Sequence, residues 1–224
     1  ITTRLVGSEM CIRDRHKALI CSVLRYFAKS VVLDKKNTMP GKVDKPLQNR
    51  AIQGILEQEK FMIKVLFICL GNICRSTMAQ SIFTHLVHRQ HLDAVFEIDS
   101  AATSREEIGN PPHYGTKNKL YEEHIPLIPH RARQMTRDDY LYYDLLIGMD
   151  TANIRNMTRI AGGSDSLQKI FKMLSFADYG TNHKLTAARD VADPWYTGDF
   201  DATFDDVISG CRGLLEYIKE VYNL

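Results

Sequence analysis

The chain has 224 residues, 44% of them hydrophobic and 25% charged, which is enough apolar material for one sizeable core and argues against a second. No segment approaches the roughly 18 to 20 consecutive apolar residues of a membrane helix, and no compact apolar signal segment opens the chain. The five cysteines form an odd, sparse set that argues against the disulfide framework of a secreted protein. These features predict a soluble, cytoplasmic protein with reduced thiols.

The net charge of +2 conceals a difference between two parts of the chain. Residues 1–61 carry 12 lysines and arginines against 6 acidic residues, whereas residues 62–224 carry 17 against 21. The basic character therefore belongs to the N-terminal part, and we expect neither a nucleic-acid partner nor a membrane partner.

Residues 1–61 are predicted to form a poorly structured N-terminal extension ahead of a domain at 62–224. One short helix is expected at 19–28, and the polar, lysine-rich stretch after it is typical of a linker. Val6–Arg15 also resembles translated sequencing-adapter sequence. One interpretation is therefore a non-native segment with Met62 as the true start, and the other is a genuine disordered or partner-binding extension.

From Met62 onwards the apolar pattern is typical of an α/β protein. Four short apolar runs predict buried strands at 64–69, 95–100, 145–149 and 169–173, with helical segments between them. Apolar residues at helical spacing predict a helix that begins near Arg75 and a last helix that begins near Asp201, closes the core and buries Cys211. We predict a single-domain, three-layer, Rossmann-like fold with a four-stranded parallel sheet flanked by helices.

The segment Cys69–Ser76 joins the first strand to the first helix, where backbone N–H groups and the helix dipole form a site for an anion. Five residues separate Cys69 from Arg75, enough chain to wrap one phosphoryl group and return the guanidinium to the sulfur. A field that holds a dianion also stabilises a thiolate, so Cys69 is the predicted nucleophile. Arg75 can bind two phosphate oxygens at once, which lysine cannot.

The Cys-x5-Arg spacing alone is weak evidence, and its position between a strand and a helix makes it specific. A buried core cysteine is the alternative, whereas a Walker loop is excluded because its lysine is missing. Ser76 is placed to donate to the Cys69 sulfur or to cap the helix. Asn72 suits a left-handed backbone conformation. The predicted phosphate-binding loop is completed by Leu70, Gly71, Ile73 and Cys74.

Val65–Ser76 resembles the active-site signature of the low-molecular-weight protein tyrosine phosphatases. The likeness covers residues 62–224, through Asp99–Thr103, Gly109–Pro112, His130–Gln134, Met149–Asp150 and Asp193–Tyr196. It implies that Asp193 is the general acid, which protonates the leaving phenolate and then activates water. The residues alone do not separate Asp193 from the aspartates that surround it.

The resemblance also implies supporting roles for other residues. Asn72, Ser76, Ser100 and His130 are expected to form a hydrogen-bond network that holds the phosphate loop, with Asp150 nearby as support. Trp195 and Tyr196 are expected to form the aromatic wall against which a phosphotyrosine ring stacks, the alternative being partial burial of two large side chains. At Arg105–Glu107 the chain departs from mammalian-type members, which carry an aromatic residue there.

The predicted function is a protein-tyrosine-phosphatase that acts on phosphotyrosine-containing proteins, needs no cofactor or metal, and is a monomer or weak homodimer. An arsenate reductase of the same fold would need further cysteines, and none lies between Cys74 and Cys211. The arginine-phosphatase branch is similar but carries threonine at the position of Ile73.

Two alternatives remain open for the loop and its function. Cys69 and Cys74 could form a protective reversible disulfide, or Cys74 could simply pack the loop. A phosphate-binding regulatory pseudoenzyme is the alternative from another class, and Asp193 argues against it because a binder needs no acid.

Overall fold

The computed structural model describes residues 62–186 and 188–224, so the helix expected at 19–28 and the rest of the predicted extension lie outside the described residues. In the described part, four parallel strands form one sheet in the order β2-β1-β3-β4. Their bounds are β1 Ile63–Cys69, β2 Phe96–Ala102, β3 Leu145–Gly148 and β4 Ile170–Lys172.

Helices connect and cover the strands. They are α1 Arg75–Arg89, α2 Tyr114–Glu122, α3 Arg137–Tyr142, α4 Thr151–Ile160, α5 Tyr179–Asn182, α6 Pro194–Thr197 and α7 Phe200–Tyr222. Short 3-10 turns lie at Asp93–Val95 and Met173–Phe176. The predicted α/β fold, with a four-stranded parallel sheet flanked by helices, is confirmed.

The central strand β1 supplies both cores because successive side chains of a strand point to opposite faces of the sheet. Val65 and Phe67 belong to a large cluster that includes residues of α1 and α7. Leu66 and Ile68 belong to a smaller cluster with residues of α3 and α4. All four side chains are fully buried, which explains the uninterrupted apolar run in the sequence.

The long helix α7 closes the larger core, as its apolar spacing predicts, and Cys211 on it is fully buried. Gly213 lets α7 approach the 3-10 turn at Met173–Phe176, since a Cβ atom there would lie 1.7 Å from the carbonyl oxygen of Phe176. The strand bounds differ from the prediction by one or two residues. For example, β2 begins after a 3-10 turn that takes up Val95.

The sheet order fixes the place of the site. β1 pairs with β2 on one side and with β3 on the other, so the first connection goes to one side of β1 and the second crosses to its other side. In open α/β sheets this switch point forms a crevice at the carboxyl ends of the strands, where ligands bind. Cys69 is the last residue of β1 and pairs with Ala102, the last residue of β2.

Candidate active site

The loop after β1 folds around the sulfur of Cys69. The backbone N–H of Asn72 donates to Cys69 Sγ over 3.2 Å, and Ser76 Oγ lies 3.1 Å from the same sulfur. Asn72 has φ +59°, the left-handed conformation expected for it. Cys69 is 3% exposed, so the loop and the first turn of α1 shield the sulfur from most directions.

The side chain of Asn72 is the centre of a buried hydrogen-bond network. Its Nδ2 donates to Ser76 Oγ and to Ser100 Oγ, each over 2.9 Å. Its Oδ1 lies 2.7 Å from His130 Nε2 and accepts from the backbone N–H of Arg133 over 3.1 Å. The structure therefore joins the four residues of the predicted network through one side chain that uses all its donors and acceptors.

This network limits the hydrogen bonds that Ser76 can make. Ser76 Oγ accepts from Asn72 Nδ2, so the single hydroxyl proton of Ser76 remains available for the Cys69 sulfur. His130 is favoured in its neutral form, because burial lowers its pKa despite the nearby charge of Asp99. A neutral imidazole with its proton on Nε2 donates to Asn72 Oδ1.

Two further members of the network were missed by the sequence analysis. Gln80 Oε1 accepts from Ser100 Oγ over 2.7 Å, and Gln80 is only 5% exposed. Arg133 donates through Nη2 to Asp99 Oδ2 over 2.8 Å and through Nη1 to Asp139 over 3.0 Å. A polar residue buried on α1 is the signal that identifies Gln80, but it becomes visible only once burial is known.

Arg75 is held by carboxylates from two distant loops. Its Nη1 donates to Asp150 Oδ2 over 2.8 Å and to the carbonyl of Val191 over 3.3 Å, and its Nη2 contacts Asp193 Oδ2. The guanidinium is almost fully buried, and its Nε has no hydrogen-bond partner among the described residues. Asp150 therefore contacts Arg75 directly rather than the network around Asn72.

Asp193 links Arg75 to the two predicted wall residues. Its Oδ1 accepts from the backbone N–H of Trp195 over 3.2 Å and caps the short helix α6, whose first residue is Pro194. Trp195 is 58% exposed and Tyr196 76% exposed, so neither aromatic side chain is buried in the core. Trp195 still has a substantial buried fraction, so the aromatic wall stays a prediction and partial burial stays its alternative.

His113, also missed from sequence, connects the wall to the phosphate loop. Its ring lies edge-on to Trp195, 5.7 Å between centroids, and stacks on Phe200 at 5.4 Å. Its backbone N–H donates to the carbonyl of Ile73 over 2.8 Å, and its Nδ1 accepts from the N–H of Gly115. Burial lowers the pKa of His113, which favours the neutral form that this last contact requires.

These residues surround a pocket of about 110 Å³. Its lining residues are Cys69, Leu70, Gly71, Ile73, Cys74, Arg75, Glu106, Glu107, Asp193, Trp195 and Tyr196. The predicted nucleophile, arginine, acid and wall thus meet in one pocket, while the side chains of Asn72, Ser76, Ser100 and His130 lie outside its lining. Glu106 and Glu107 stand on the side where the sequence departs from mammalian-type members.

All three cysteines in the described part of the chain, Cys69, Cys74 and Cys211, are free thiols. Burial, together with the neighbouring Cys69 and Asp193, raises the pKa of Cys74 to about 12. Cys74 is therefore a poor nucleophile in this state, and a disulfide with Cys69 stays a prediction. Within residues 62–186 and 188–224 no cluster of metal-ligating side chains and no helix able to cross a membrane is found.

The cysteine-dependent phosphatases share the features found here. These are a cysteine nucleophile, a buried arginine and a carboxylate around a phosphate-sized pocket at the end of a parallel sheet. The family model of the low molecular weight phosphotyrosine protein phosphatases matches residues 64–223. The chain therefore belongs to that family, and the predicted membership of a protein phosphatase family is confirmed.

Individual relatives agree with this assignment. The chain is 40% identical over 159 residues to the low molecular weight protein-tyrosine-phosphatase YfkJ of Bacillus subtilis, covering 71% of this chain and 97% of that protein. The crystal structure of YfkJ matches with a TM-score of 0.65, over 72% of this chain and 98% of that one. The human low molecular weight phosphotyrosine protein phosphatase is 36% identical over 154 residues, 68% of this chain and 93% of that protein.

A third relative differs in its described substrate. The crystal structure of a drosophila arginine phosphatase is 25% identical and matches with a TM-score of 0.61, over 70% of this chain and 98% of that one. The same fold therefore occurs in a protein described as an arginine phosphatase, and the fold alone does not choose the substrate.

Proposed function

We propose that this chain is a protein-tyrosine-phosphatase that hydrolyses phosphotyrosine in proteins through a phosphocysteine intermediate on Cys69. One observation carries the proposal: the same pocket is lined by Cys69, Arg75 and Asp193 and by two exposed aromatic residues, Trp195 and Tyr196. A binding module would use the anion site and the arginine, but it would have no use for a sulfur nucleophile beside an acid.

In the first step the Cys69 sulfur attacks phosphorus, and the S–P bond forms as the P–O bond to tyrosine breaks. Arg75 and the loop N–H groups bind the equatorial oxygens on which negative charge is concentrated. Asp193 gives a proton to the departing oxygen. Because tyrosine has a pKa of about 10, expulsion of an unprotonated phenolate near neutral pH would be slow.

In the second step Asp193 takes a proton from water as the water oxygen bonds to phosphorus. The S–P bond breaks, and inorganic phosphate and the Cys69 thiolate are released. The Ser76 hydroxyl, directed by Asn72, donates to the sulfur that takes up the negative charge. This positioning supports Ser76 as a group that stabilises the leaving thiolate in this step and the nucleophile in the first.

Phosphotyrosine is favoured over phosphoarginine by two features of the pocket. Ile73 contributes a hydrocarbon side chain and no hydroxyl to the lining. Trp195 and Tyr196 offer exposed aromatic surface against which a phenyl ring can stack, a contact worth about 0.5–1.5 kcal/mol beyond burial. The drosophila arginine phosphatase makes phosphoarginine the alternative substrate to test.

Hydrolysis of p-nitrophenyl phosphate by the wild type, Cys69→Ser and Asp193→Ala tests the enzyme. We expect no turnover above background for Cys69→Ser and a lower kcat for Asp193→Ala, with phosphate binding retained in both. Wild-type activity no greater than that of Cys69→Ser would overturn the proposal and favour a binding protein. The substrate is then decided by measuring phosphate release from phosphotyrosine and phosphoarginine peptides of equal length, each offered separately. Faster phosphate release from the phosphoarginine peptide would contradict the preference inferred from Ile73.

A further inference from the structure

Two kinds of side chain line the pocket outside the phosphate loop. Trp195 and Tyr196 are aromatic, and Glu106 and Glu107, which we call the acidic rim, carry carboxylates. Glu106 is exposed and Glu107 is half-buried. Substrate residues that flank the phosphorylated side chain must pass this rim, so its charge acts on them directly.

The acidic rim is fixed relative to the phosphate loop. The backbone N–H groups of Thr103 and Ser104, just before the rim, donate to the carbonyls of Cys69 and Leu70 over 2.9 and 3.0 Å. The side chain of Glu107 lies against the loop, since a Cβ atom on Gly71 would be 3.1 Å from Glu107 Cγ. The backbone just before the rim is therefore fixed to the phosphate loop, and the Glu107 side chain packs against Gly71.

Among the described residues, no cation neutralises the charge of the rim. Glu107 Oε2 accepts from the uncharged amide of Asn110 over 2.7 Å, and neither Glu106 nor Glu107 forms an ion pair with any described residue. Arg105, next to them in sequence, donates instead to Gln134 Oε1 over 3.0 Å. Two negative charges thus face a pocket whose own buried cation, Arg75, is already paired with Asp150 and Asp193.

A second observation shows that the pocket is made for a ligand. Arg75 is 2% exposed and lines the pocket, yet its Nε has no partner among the described residues. A buried guanidinium N–H without an acceptor is costly, so an anionic ligand oxygen is its natural partner. An anion that binds there shares the pocket with the acidic rim, which repels it unless a cation accompanies it.

We propose that the acidic rim selects phosphotyrosine sites with a lysine or arginine next to the phosphorylated residue. The cation offsets the repulsion between the rim and the phosphoryl group and forms a solvent-exposed ion pair with Glu106 or Glu107. Such exposed pairs change affinity by about 1.5- to fivefold each. Acidic flanking residues meet the same carboxylates and are disfavoured. This inference rests on the proposed function and adds the sequence context of its substrate.

Three phosphotyrosine peptides test the proposal. They differ only in the two residues that flank the phosphotyrosine, which are both lysine, both glutamine or both glutamate. For the wild type at low ionic strength we expect kcat/KM for the lysine peptide to exceed that for the glutamate peptide by about tenfold. The ratio should fall toward one in the Glu106→Gln/Glu107→Gln double variant. Because it is a ratio within each variant, a general change in activity cancels.

Glu122→Gln is the matched control, because it removes one carboxylate that does not line the pocket. It should keep the wild-type ratio. If the double variant does not fold, the wild-type ratio is measured at high salt, where screening should reduce it by about half or more. A wild-type ratio near one, or a ratio that the double variant or high salt leaves unchanged, overturns the proposal.

The failure of this inference and the failure of the proposed function are distinguishable. Cys69-dependent hydrolysis of the glutamine peptide tests the function, and the lysine-to-glutamate ratio tests the rim. If no turnover is seen, the Kd of the lysine peptide and the Kd of the glutamate peptide are measured with the Cys69→Ser variant and compared. Tighter binding of the lysine peptide there supports the rim even without catalysis, and equal binding contradicts it.

Discussion

The substitution Asn72→Ala should destabilise this protein strongly, although it removes only a small side chain. The amide of Asn72 is fully buried and makes four hydrogen bonds, with Ser76, Ser100, His130 and the backbone of Arg133. Each buried bond contributes about 1 kcal/mol net, and more where the partner is left unsatisfied. Alanine at φ +59° adds roughly 1 kcal/mol of backbone strain.

Because the four bonds share one side chain, their losses are not additive, and we expect a decrease of about 3–5 kcal/mol in the free energy of unfolding. That is a large part of the roughly 5–15 kcal/mol of a typical domain. The measurement is urea unfolding at pH 7 followed by circular dichroism. Hydrolysis of p-nitrophenyl phosphate by the folded variant should also slow, because the Ser76 proton is no longer directed at Cys69.

Two companion variants separate the causes. Asn72→Gly loses the same bonds without the strain, so it should be more stable than Asn72→Ala by about 1 kcal/mol. Asn118→Ala, at an exposed position of α2, should change stability by less than about 0.5 kcal/mol. A loss below about 1 kcal/mol for Asn72→Ala would show that the network does not hold the loop. Equal stabilities for the glycine and alanine variants would refute the strain.

Three further predictions follow from other parts of the structure. Arg75→Lys should lower kcat/KM by about 100-fold or more, since a paired N–H fork is lost while the charge remains, whereas Arg155→Lys at an exposed position of α4 should have little effect. The pKa of His130 is lowered in the folded state, so the unfolded state binds a proton first as pH falls below about 6.5, and stability decreases there. The free energy of unfolding should therefore change less between pH 5 and pH 7 for His130→Gln than for the wild type. An equal change in both proteins would refute this role of His130. Gly213→Ala should lower Tm by several degrees through overpacking, while Gly180→Ala, whose Cβ would meet only one side-chain atom at 3.8 Å, should not.

The phosphate loop could be predicted from sequence because the residues that define it are close together in the chain. A buried strand, a glycine turn, an arginine six residues after a cysteine and an asparagine able to adopt positive φ all lie within Val65–Ser76. The position of Asp193 came from the resemblance, since the aspartates around it have the same chemistry. Its contact with Arg75, 118 residues away, depends on how the loop after β4 returns to the sheet.

Gln80 and the acidic rim could not be predicted for a different reason. The apolar stripe on α1 shows only one buried face, but Gln80 and Ser81 are buried as well because the first turns of the helix are enclosed on several sides. Burial on the second face depends on the tertiary placement of β2 and of residues near Ile128. Likewise, Glu106 and Glu107 resemble any solvated acidic turn until the register of β1 with β2 places them at the pocket.

The site divides its tasks between buried and exposed residues, and this division predicts how variants will behave. Residues outside the lining, such as Asn72 and Ser100, fix the loop through short buried contacts, so their loss should reduce both stability and kcat. Glu106 and Tyr196 are exposed at the pocket mouth and contribute little to the core. Changes there should leave the folded loop intact and alter which flanking sequences are accepted.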